Sequence, residues 1–545
     1  MSAMAHPSSR LALLPMADGT QLATAVALPH TSFRGPTLLV RTPYEAEFVT
    51  STLGLDVDEL HAAGFAVVGQ DVRGRGASGG SFGFLAQEHA DGRATLAWIA
   101  AQPWSDGRVV TAGNSYLGRA QLMLGDAPEL VAMIPGMAGL SSRETWWPGG
   151  VLDVATAGFW LRELAESALD GVDAPARAVL EQLLAGEDPL AFVTALRQPA
   201  HPLREAARVL LPHLDPDGEP NGSSARPPRV PSLHITGWFD PLAGSTIATW
   251  EAARAGGSRD HHLLAGPWTH ATLGSVVEDV EHPGGGADEL TLGERQLGFM
   301  SWYVHGSGER PPLAEVYVTG ANRWRSYDLW PPPCDELALQ LGPAGELTAG
   351  PVAAGERVLA SRAADPVPSL GGTATTVAGA PVQPRPGPTD VTALAARPDV
   401  LAFAGAPLAQ AIEVAGTMRL SAWVSADPAP AGLVAKLADR APGGTLRVVA
   451  DGVCAEPAAC DDDGDGHEAA GRAGEPRSGE PIELRFALSP VHHRFGAGHR
   501  VVLLLCASEL PRYALGLDRD RTLRVATGPP RPARLVLPVV REVSA

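Results

Sequence analysis

Val109-Val110-Thr111-Ala112-Gly113-Asn114-Ser115-Tyr116-Leu117-Gly118 is the stretch from which the rest of the chain can be read. The first four residues form an apolar run of the kind that makes a buried strand, and the run from Tyr116 to Leu124 suits a helix. Strand, tight glycine turn, serine and helix together lift a serine hydroxyl to the edge of a sheet. Glycine fits because the backbone there turns sharply and side chains would collide. A helix starting just after the serine supplies free N–H groups and a dipole that favour nearby negative charge. The second glycine stands at 118, one place later than in the common G-x-S-x-G spacing, with Leu117 in its place. A motif this short needs partners from the remainder of the chain.

Upstream, Leu14 to Leu22 reads as strand, Asp18-Gly19 hairpin turn and strand. Thr37-Leu38-Leu39-Val40 is a buried strand that ends in Arg41-Thr42-Pro43-Tyr44. Phe65 to Asp71 is another, emptying into the glycine-rich loop Arg73 to Gly80, and a helix is expected over about Glu88 to Ala101. Short apolar strands alternating with helices indicate a mostly parallel sheet covered on both faces. The loop holds a second serine, because Gly76-Ala77-Ser78-Gly79-Gly80 satisfies G-x-S-x-G literally. Several loop residues separate Ser78 from its strand and no helix follows, so it reads as a flexible loop serine.

Downstream, from about Ser141 to Arg229, helical runs such as Pro175–Leu184 and Leu203–Leu211 accompany Trp146, Trp147, Phe159 and Trp160. This reads as an inserted helical unit, placed where it could roof a pocket. Sheet texture resumes at Ser232 to Thr236, leading into Gly237-Trp238-Phe239-Asp240, and at His262 to Ala265, leading into Gly266-Pro267-Trp268-Thr269-His270. Ala314 to Val318 reads as the last strand before the boundary at Pro331-Pro332-Pro333. Beyond it, short strands with Gly, Pro and Asp turns dominate: Thr417–Ser425, Gly432–Leu437, Thr445–Val449, Ile482–Ala487 and His499–Leu505. That pattern suggests a β-sandwich or jelly roll. Asp461 to Gly466 looks like half a calcium loop. However, Arg472 stands where a bidentate Glu would be needed, so a solvated acidic turn is expected.

The chain has 545 residues, enough for two or three domains, and its net charge of −19 argues against nucleic acid or an anionic membrane as partner. Lys436 is the sole lysine. Four cysteines occur, at 334, 454, 460 and 506. An extracellular reading would pair Cys454 with Cys460, while free thiols in a reducing cytoplasm are the expected state. No secretory leader or membrane-length apolar run is visible, and a cytoplasmic protein is expected. No Cys/His spacing suggests a metal, and no cofactor is expected.

A serine hydroxyl becomes a nucleophile when a base removes its proton, and the base is usually a His oriented by a carboxylate. When such a triad is built on a parallel α/β sheet, the chain order is Ser, Asp or Glu, then His. Asp240 and His270 follow Ser115 in that order, each in a turn just after a strand, where turns of a parallel sheet converge. His262, at the start of a strand beside His261, reads as structural. Asp260 precedes its strand, and His201, His213 and His305 lack a carboxylate turn. The backbone N–H of Tyr116 is the expected first donor to an oxyanion. Tyr44 is either the second donor or a packed aromatic in a turn.

Several of these stretches resemble one family. Arg41-Thr42-Pro43-Tyr44, Gln70 to Gly74, Gly113 to Gly118, Gly237 to Asp240 and Gly266 to His270 are similar to motifs of cocaine esterase-like serine hydrolases, which include X-Pro dipeptidyl-peptidases and α-amino acid ester hydrolases. Pro366 to Thr373, Gly498-His499-Arg500 and Pro511-Arg512-Tyr513 continue the likeness, while Ala514 to Leu517 departs from it. The resemblance accounts for the displaced glycine, since the family uses G-x-S-Y-x-G. It implies Ser115 as nucleophile, His270 as base, Asp240 as its orienter, and the Tyr44 hydroxyl with the Tyr116 amide as oxyanion hole. It also implies that Trp146 or Trp147, Trp160 and Leu242 line the acyl pocket. The implied architecture is an α/β-hydrolase domain over 1–142 and 231–333, a helical cap over 143–230, and a C-terminal galactose-binding-like jelly roll over 334–545. The expected reaction is cleavage of small carboxylic esters through an acyl-enzyme. X-Pro peptidase or α-amino ester/amide acylase activity with the same triad is the alternative, and a non-catalytic carbohydrate-binding protein a third reading. A homodimer is the one protein partner this reading admits.

Overall fold

The computed structural model describes residues 9–44, 54–188, 190–215, 218, 225–376, 383–455 and 477–541. Strands β1 (Arg10–Pro15) and β2 (Gln21–Ala27) form the expected hairpin, with Pro15 paired to Gln21 and Gly19 turning at φ 82°. The strands β3 (Gly35–Thr42), β4 (Ala66–Asp71), β5 (Ser105–Asn114), β6 (Leu130–Gly136), β7 (Ser232–Phe239) and β8 (His261–Thr269) follow. β9 (Val276–Val277) and β10 (Val280–Glu281) make a separate ribbon, and β11 (Ala314–Val318) and β12 (Arg323–Tyr327) return to the main sheet. That sheet has the order β1-β2-β4-β3-β5-β6-β7-β8-β11-β12. Pairing is parallel from β4 to β11 and antiparallel at both ends, giving a mixed sheet. β3, β4, β7 and β8 are buried along their whole length, which is why they read as near-continuous apolar runs.

β12 was not expected from sequence. Its residues are half-buried or exposed, so no apolar face announces it, and only its pairing with β11 makes it a strand.

Helices α1 (Val57–Ala62), α2 (Glu88–Ala100) and α3 (Tyr116–Leu122) cover the first half of the sheet. Between β6 and β7 come α4 (Ser142–Trp146), α5 (Val154–Ala168), α6 (Ala174–Ala185), α7 (Ala191–Leu196), α8 (Pro202–Ala206) and α9 (Leu211–Leu214). α5 buries Ala157, Trp160, Leu161, Leu164 and Ala165, the spacing of one helix face. The continuous run expected over Leu203–Leu211 is instead broken into α8, a 3₁₀ turn at Arg208–Leu210 and α9. Pro212 explains the break, because proline is tolerated in a first helical turn but not in a helix interior.

The C-terminal part is all β. A nine-stranded sheet includes Cys334–Leu341, Arg419–Asp427, Ile482–Ala487 and Arg534–Val540, and a four-stranded sheet runs Leu401–Ala404, Arg500–Cys506, Leu433–Arg440, Leu446–Cys454. Their pairings are antiparallel. An apolar cluster runs from Trp238, Phe239 and Trp250 under the main sheet to Leu339, Leu420 and Leu503, so the two parts share a core.

A buried polar joint fixes the C-terminal part to the start of α5. The Arg512 carbonyl accepts the Val154 N–H at 2.6 Å. Its guanidinium bonds the Asp451 carboxylate and, at 2.7 Å, Thr373 Oγ1, and it lies 3.7 Å from Asp153 Oδ2. Lys436, the sole lysine, bonds Glu509 Oε1 at 3.0 Å beside it. Removing one partner from such a buried set costs about 3–5 kcal/mol, because it strands the opposite charge.

The expectation of free thiols fails for Cys454, which is disulfide-bonded, whereas Cys334 and Cys506 are free. A bonded cysteine is the state favoured by an oxidising setting. Cys460 and the acidic turn Asp461–Gly466 lie outside the described residues. Among the described residues no helix is long and apolar enough to cross a membrane.

Candidate active site

Four strands from the parallel part of the main sheet deliver the site. β3 ends at Thr42, β5 at Asn114, β7 at Phe239 and β8 at Thr269, and just beyond them stand Tyr44, Ser115, Asp240 and His270. Parallel strands that end at one edge bring these turns together.

Ser115 sits between β5 and α3 at φ 59° and ψ −122°, a conformation that non-glycine residues rarely adopt. Its N–H is held by the Gly136 carbonyl at 3.0 Å, and its own carbonyl accepts the Arg119 N–H at 2.9 Å. The flanking glycines are dictated by space. A Cβ on Gly113 would lie 2.4 Å from Leu117 Cβ, and one on Gly118 would lie 2.5 Å from the Gly136 carbonyl oxygen. Leu117 therefore packs over Gly113, and the close approach of helix to β6 falls one place later, at Gly118. The displaced glycine is a packing requirement of this turn.

His270 bridges the other two residues. Its Nε2 lies 3.0 Å from Ser115 Oγ and its Nδ1 lies 3.1 Å from Asp240 Oδ2. Asp240 is fully buried, and its Oδ1 accepts the Leu242 N–H at 2.6 Å. Burial pulls the His270 pKa down, but the Asp240 charge and hydrogen bond outweigh it, leaving the imidazole above its ordinary 6.5. The arrangement can take a proton from Ser115 at Nε2 while Asp240 holds Nδ1–H in place.

Tyr116, the residue after Ser115, belongs to a cluster of aromatic rings. Trp160 packs on Tyr44 at 5.9 Å, Phe82 at 6.4 Å, Phe84 at 4.7 Å and Tyr116 at 5.7 Å between ring centroids. Of the two adjacent tryptophans, Trp146 joins this cluster, 5.7 Å from Phe84, whereas Trp147 donates its indole N–H to the His213 carbonyl at 2.8 Å. Leu242 acts on the site through its N–H to Asp240, and its side chain is half-buried. Phe82 and Phe84 were not foreseen from sequence. Phe84 and Leu85 both have positive φ, 36° and 66°, at a cost on the order of 1 kcal/mol each. Loop residues of this kind carry no periodic signal; the only cue is their place just after the glycine-rich loop.

The two tyrosines differ in how they are held. Tyr116 is buried; its hydroxyl donates to Glu88 Oε1 at 3.0 Å and accepts the Leu85 N–H at 3.2 Å, and Glu88 is in turn paired with Arg41. Its own N–H is at the first position of α3, where no intrahelical carbonyl is within reach. Burial first, then the Glu163 carboxylate, push the Tyr44 hydroxyl well above its ordinary pKa, so it stays a neutral donor. The Tyr44 N–H is held by Thr42 Oγ1 at 3.0 Å.

Ser78 is a structural serine rather than a flexible one. Its Oγ donates to the Asp71 carbonyl at 2.7 Å and accepts the Ala23 N–H at 2.8 Å, stitching the loop to β2 and β4. His262 bridges the Pro312 carbonyl and the Tyr303 hydroxyl, both at 2.8 Å. Asp260 meets Arg310 at 2.9 Å, away from His270. Among the described residues no group of three or more His, Cys, Asp or Glu side chains could hold a metal.

Comparison with known proteins adds the family. Residues 18–272 match the model of X-Pro dipeptidyl-peptidase (S15 family), and residues 305–535 match that of the X-Pro dipeptidyl-peptidase C-terminal non-catalytic domain. Cocaine esterase from Rhodococcus sp. (strain MB1 Bresler) is 28% identical, over 97% of this chain and 98% of its own length. Both domains of this family are matched in order along the chain, and the chain is a hydrolase. The fold is shared with an aminopeptidase from the marine sediment archaeon Thaumarchaeota archaeon, at 21% identity and TM-score 0.77, covering 98% of this chain and 96% of that one. It is shared also with an α-amino acid ester hydrolase, at 22% identity and TM-score 0.75, covering 99% and 98%. The N-terminal part is thus an α/β-hydrolase-like domain, followed by a separate all-β domain.

Proposed function

We propose that this chain is a serine esterase that cleaves small carboxylic esters through an acyl-enzyme on Ser115. The observation that carries this reading is the unbroken chain from Ser115 Oγ to His270 Nε2 at 3.0 Å and from His270 Nδ1 to Asp240 Oδ2 at 3.1 Å. In this mechanism His270 takes the Ser115 proton as Oγ attacks the ester carbonyl, and Asp240 stabilises the imidazolium that forms. The Tyr116 N–H and the Tyr44 hydroxyl receive the oxyanion. Collapse of the tetrahedral intermediate releases the alcohol, protonated by His270, and a water activated by the same imidazole deacylates Ser115.

The rings of Tyr44, Phe82, Phe84, Trp146 and Trp160 favour an apolar acyl group in this scheme. The helices between β6 and β7 serve as a cap that contributes two of those rings, and the two C-terminal sheets form a jelly roll bracing it. Preference for an uncharged acyl group over an α-amino one rests on Glu163. This carboxylate near Tyr44 is engaged by Arg75 at 3.3 Å, so it is not free to take a substrate ammonium. A panel of p-nitrophenyl acyl esters, X-Pro anilides and α-amino esters tests the reading. Ester turnover should exceed the other two, and preferred turnover of an X-Pro anilide or an α-amino ester would replace it with the peptidase or acylase alternative.

A further inference from the structure

Arg75 lies in the glycine-rich loop, and its side chain is only 10% exposed. Nε donates to the carbonyl of Pro43, the residue before Tyr44, at 3.0 Å. Nη1 donates to Ser167 Oγ at 2.6 Å and Nη2 to Glu163 Oε2 at 3.3 Å, both on α5. The guanidinium also lies 5.0 Å over the ring of Phe82. One planar cation thus joins the main chain leading to Tyr44, a wall of the aromatic cluster, and the helix that carries Trp160. Trp160 in turn packs on the Tyr44 ring at 5.9 Å. Besides the Thr42 bond to its N–H, Tyr44 is therefore approached from two sides by elements that Arg75 ties together.

We propose that Arg75 is a positioning residue that sets the Tyr44 hydroxyl by fixing the Pro43 carbonyl and clamping α5 over the site. This rests on the reading of Tyr44 as an oxyanion donor. A guanidinium suits the task because its rigid fork serves acceptors in different directions while its face lies on a ring. Small misplacement of a donor is enough to slow turnover, since the hydrogen bond must form to the oxyanion and not to the resting ester.

The test is a cycle of Arg75→Ala, Tyr44→Phe and the double variant, with kcat and KM measured on a p-nitrophenyl ester. Arg75→Ala should lower kcat roughly 10-fold or more, in line with misplaced catalytic geometry. In the Tyr44→Phe background the same change should alter kcat by less than about 2-fold, because the group it positions is gone. Added guanidinium ion at tens of millimolar should restore part of the loss in Arg75→Ala and none in the double variant. Should Arg75→Ala fail to fold, Arg75→Lys carries the cycle, since it keeps the charge and loses the fork. An unchanged kcat in Tyr44→Phe overturns the donor reading and the inference with it. A loss in Tyr44→Phe combined with an Arg75 effect that is absent, or equal in both backgrounds, overturns the inference alone.

Discussion

Replacing Asp240 by Asn tests the electrostatics of the site with almost no change in shape. Oδ1 of Asp240 accepts the Leu242 N–H at 2.6 Å, so in Asp240→Asn the amide oxygen keeps that place. The amide NH₂ is then forced into the position of Oδ2, 3.1 Å from His270 Nδ1. To meet this donor, Nδ1 must offer its lone pair, and the ring proton moves to Nε2, the nitrogen 3.0 Å from Ser115 Oγ. A protonated Nε2 cannot take the serine proton. The expected loss in kcat is roughly 10⁴-fold, the usual effect of a wrong tautomer. That equals about 5.4 kcal/mol of lost transition-state stabilisation at 1.36 kcal/mol per decade.

The pH profile supplies a second readout. The base acts when neutral, so kcat/KM rises with pH through the His270 pKa, which lies above 6.5 in the parent. Without the Asp240 charge and bond, burial acts unopposed, and the acid limb should move to lower pH. The assay is hydrolysis of a p-nitrophenyl ester from pH 5 to pH 9 by parent and variant, with thermal melting to confirm folding. A variant within about 10-fold of the parent at neutral pH, or an unmoved acid limb, would refute the reasoning.

Tyr44→Phe should lower kcat by roughly 10²–10³ with KM little changed, as expected for loss of one oxyanion donor, and steady-state kinetics checks this. Ser78→Ala removes the link between the Asp71 carbonyl and the Ala23 N–H, so melting should show a loss of about 1–3 kcal/mol, while turnover per titrated active site stays at the parent value. A parent-like melting curve would show that the loop does not depend on Ser78. Thiol titration of unfolded protein without reductant should detect Cys334 and Cys506, with Cys454 appearing only after reduction.

The sequence carried the sheet and the three core site residues because each depends on local pattern. β3, β4, β7 and β8 are buried end to end, so their apolar runs are unmistakable, and Tyr44, Asp240 and His270 stand just beyond such runs. Ser115 was legible through its helix, even though Ser78 matched the motif more literally. What local pattern could not carry was contact across long separations. Arg75 and Glu163 are 88 residues apart, Arg512 and Asp451 are 61 apart within the C-terminal part, and Arg512 meets Asp153 only where the two domains pack. Phe82 and Phe84 sit in an irregular loop with positive φ at Phe84, where no period marks a residue as facing the site. β12 escaped for the opposite reason: it is an edge strand with no buried face.

The most direct measurement is labelling of folded protein with a fluorophosphonate, followed by peptide mapping, in the parent, Ser115→Ala and Ser78→Ala. An acyl-enzyme chemistry on Ser115 predicts one adduct per chain on Ser115 in the parent and in Ser78→Ala, and none in Ser115→Ala. Folded parent that carries no adduct on Ser115 while still hydrolysing esters would contradict it.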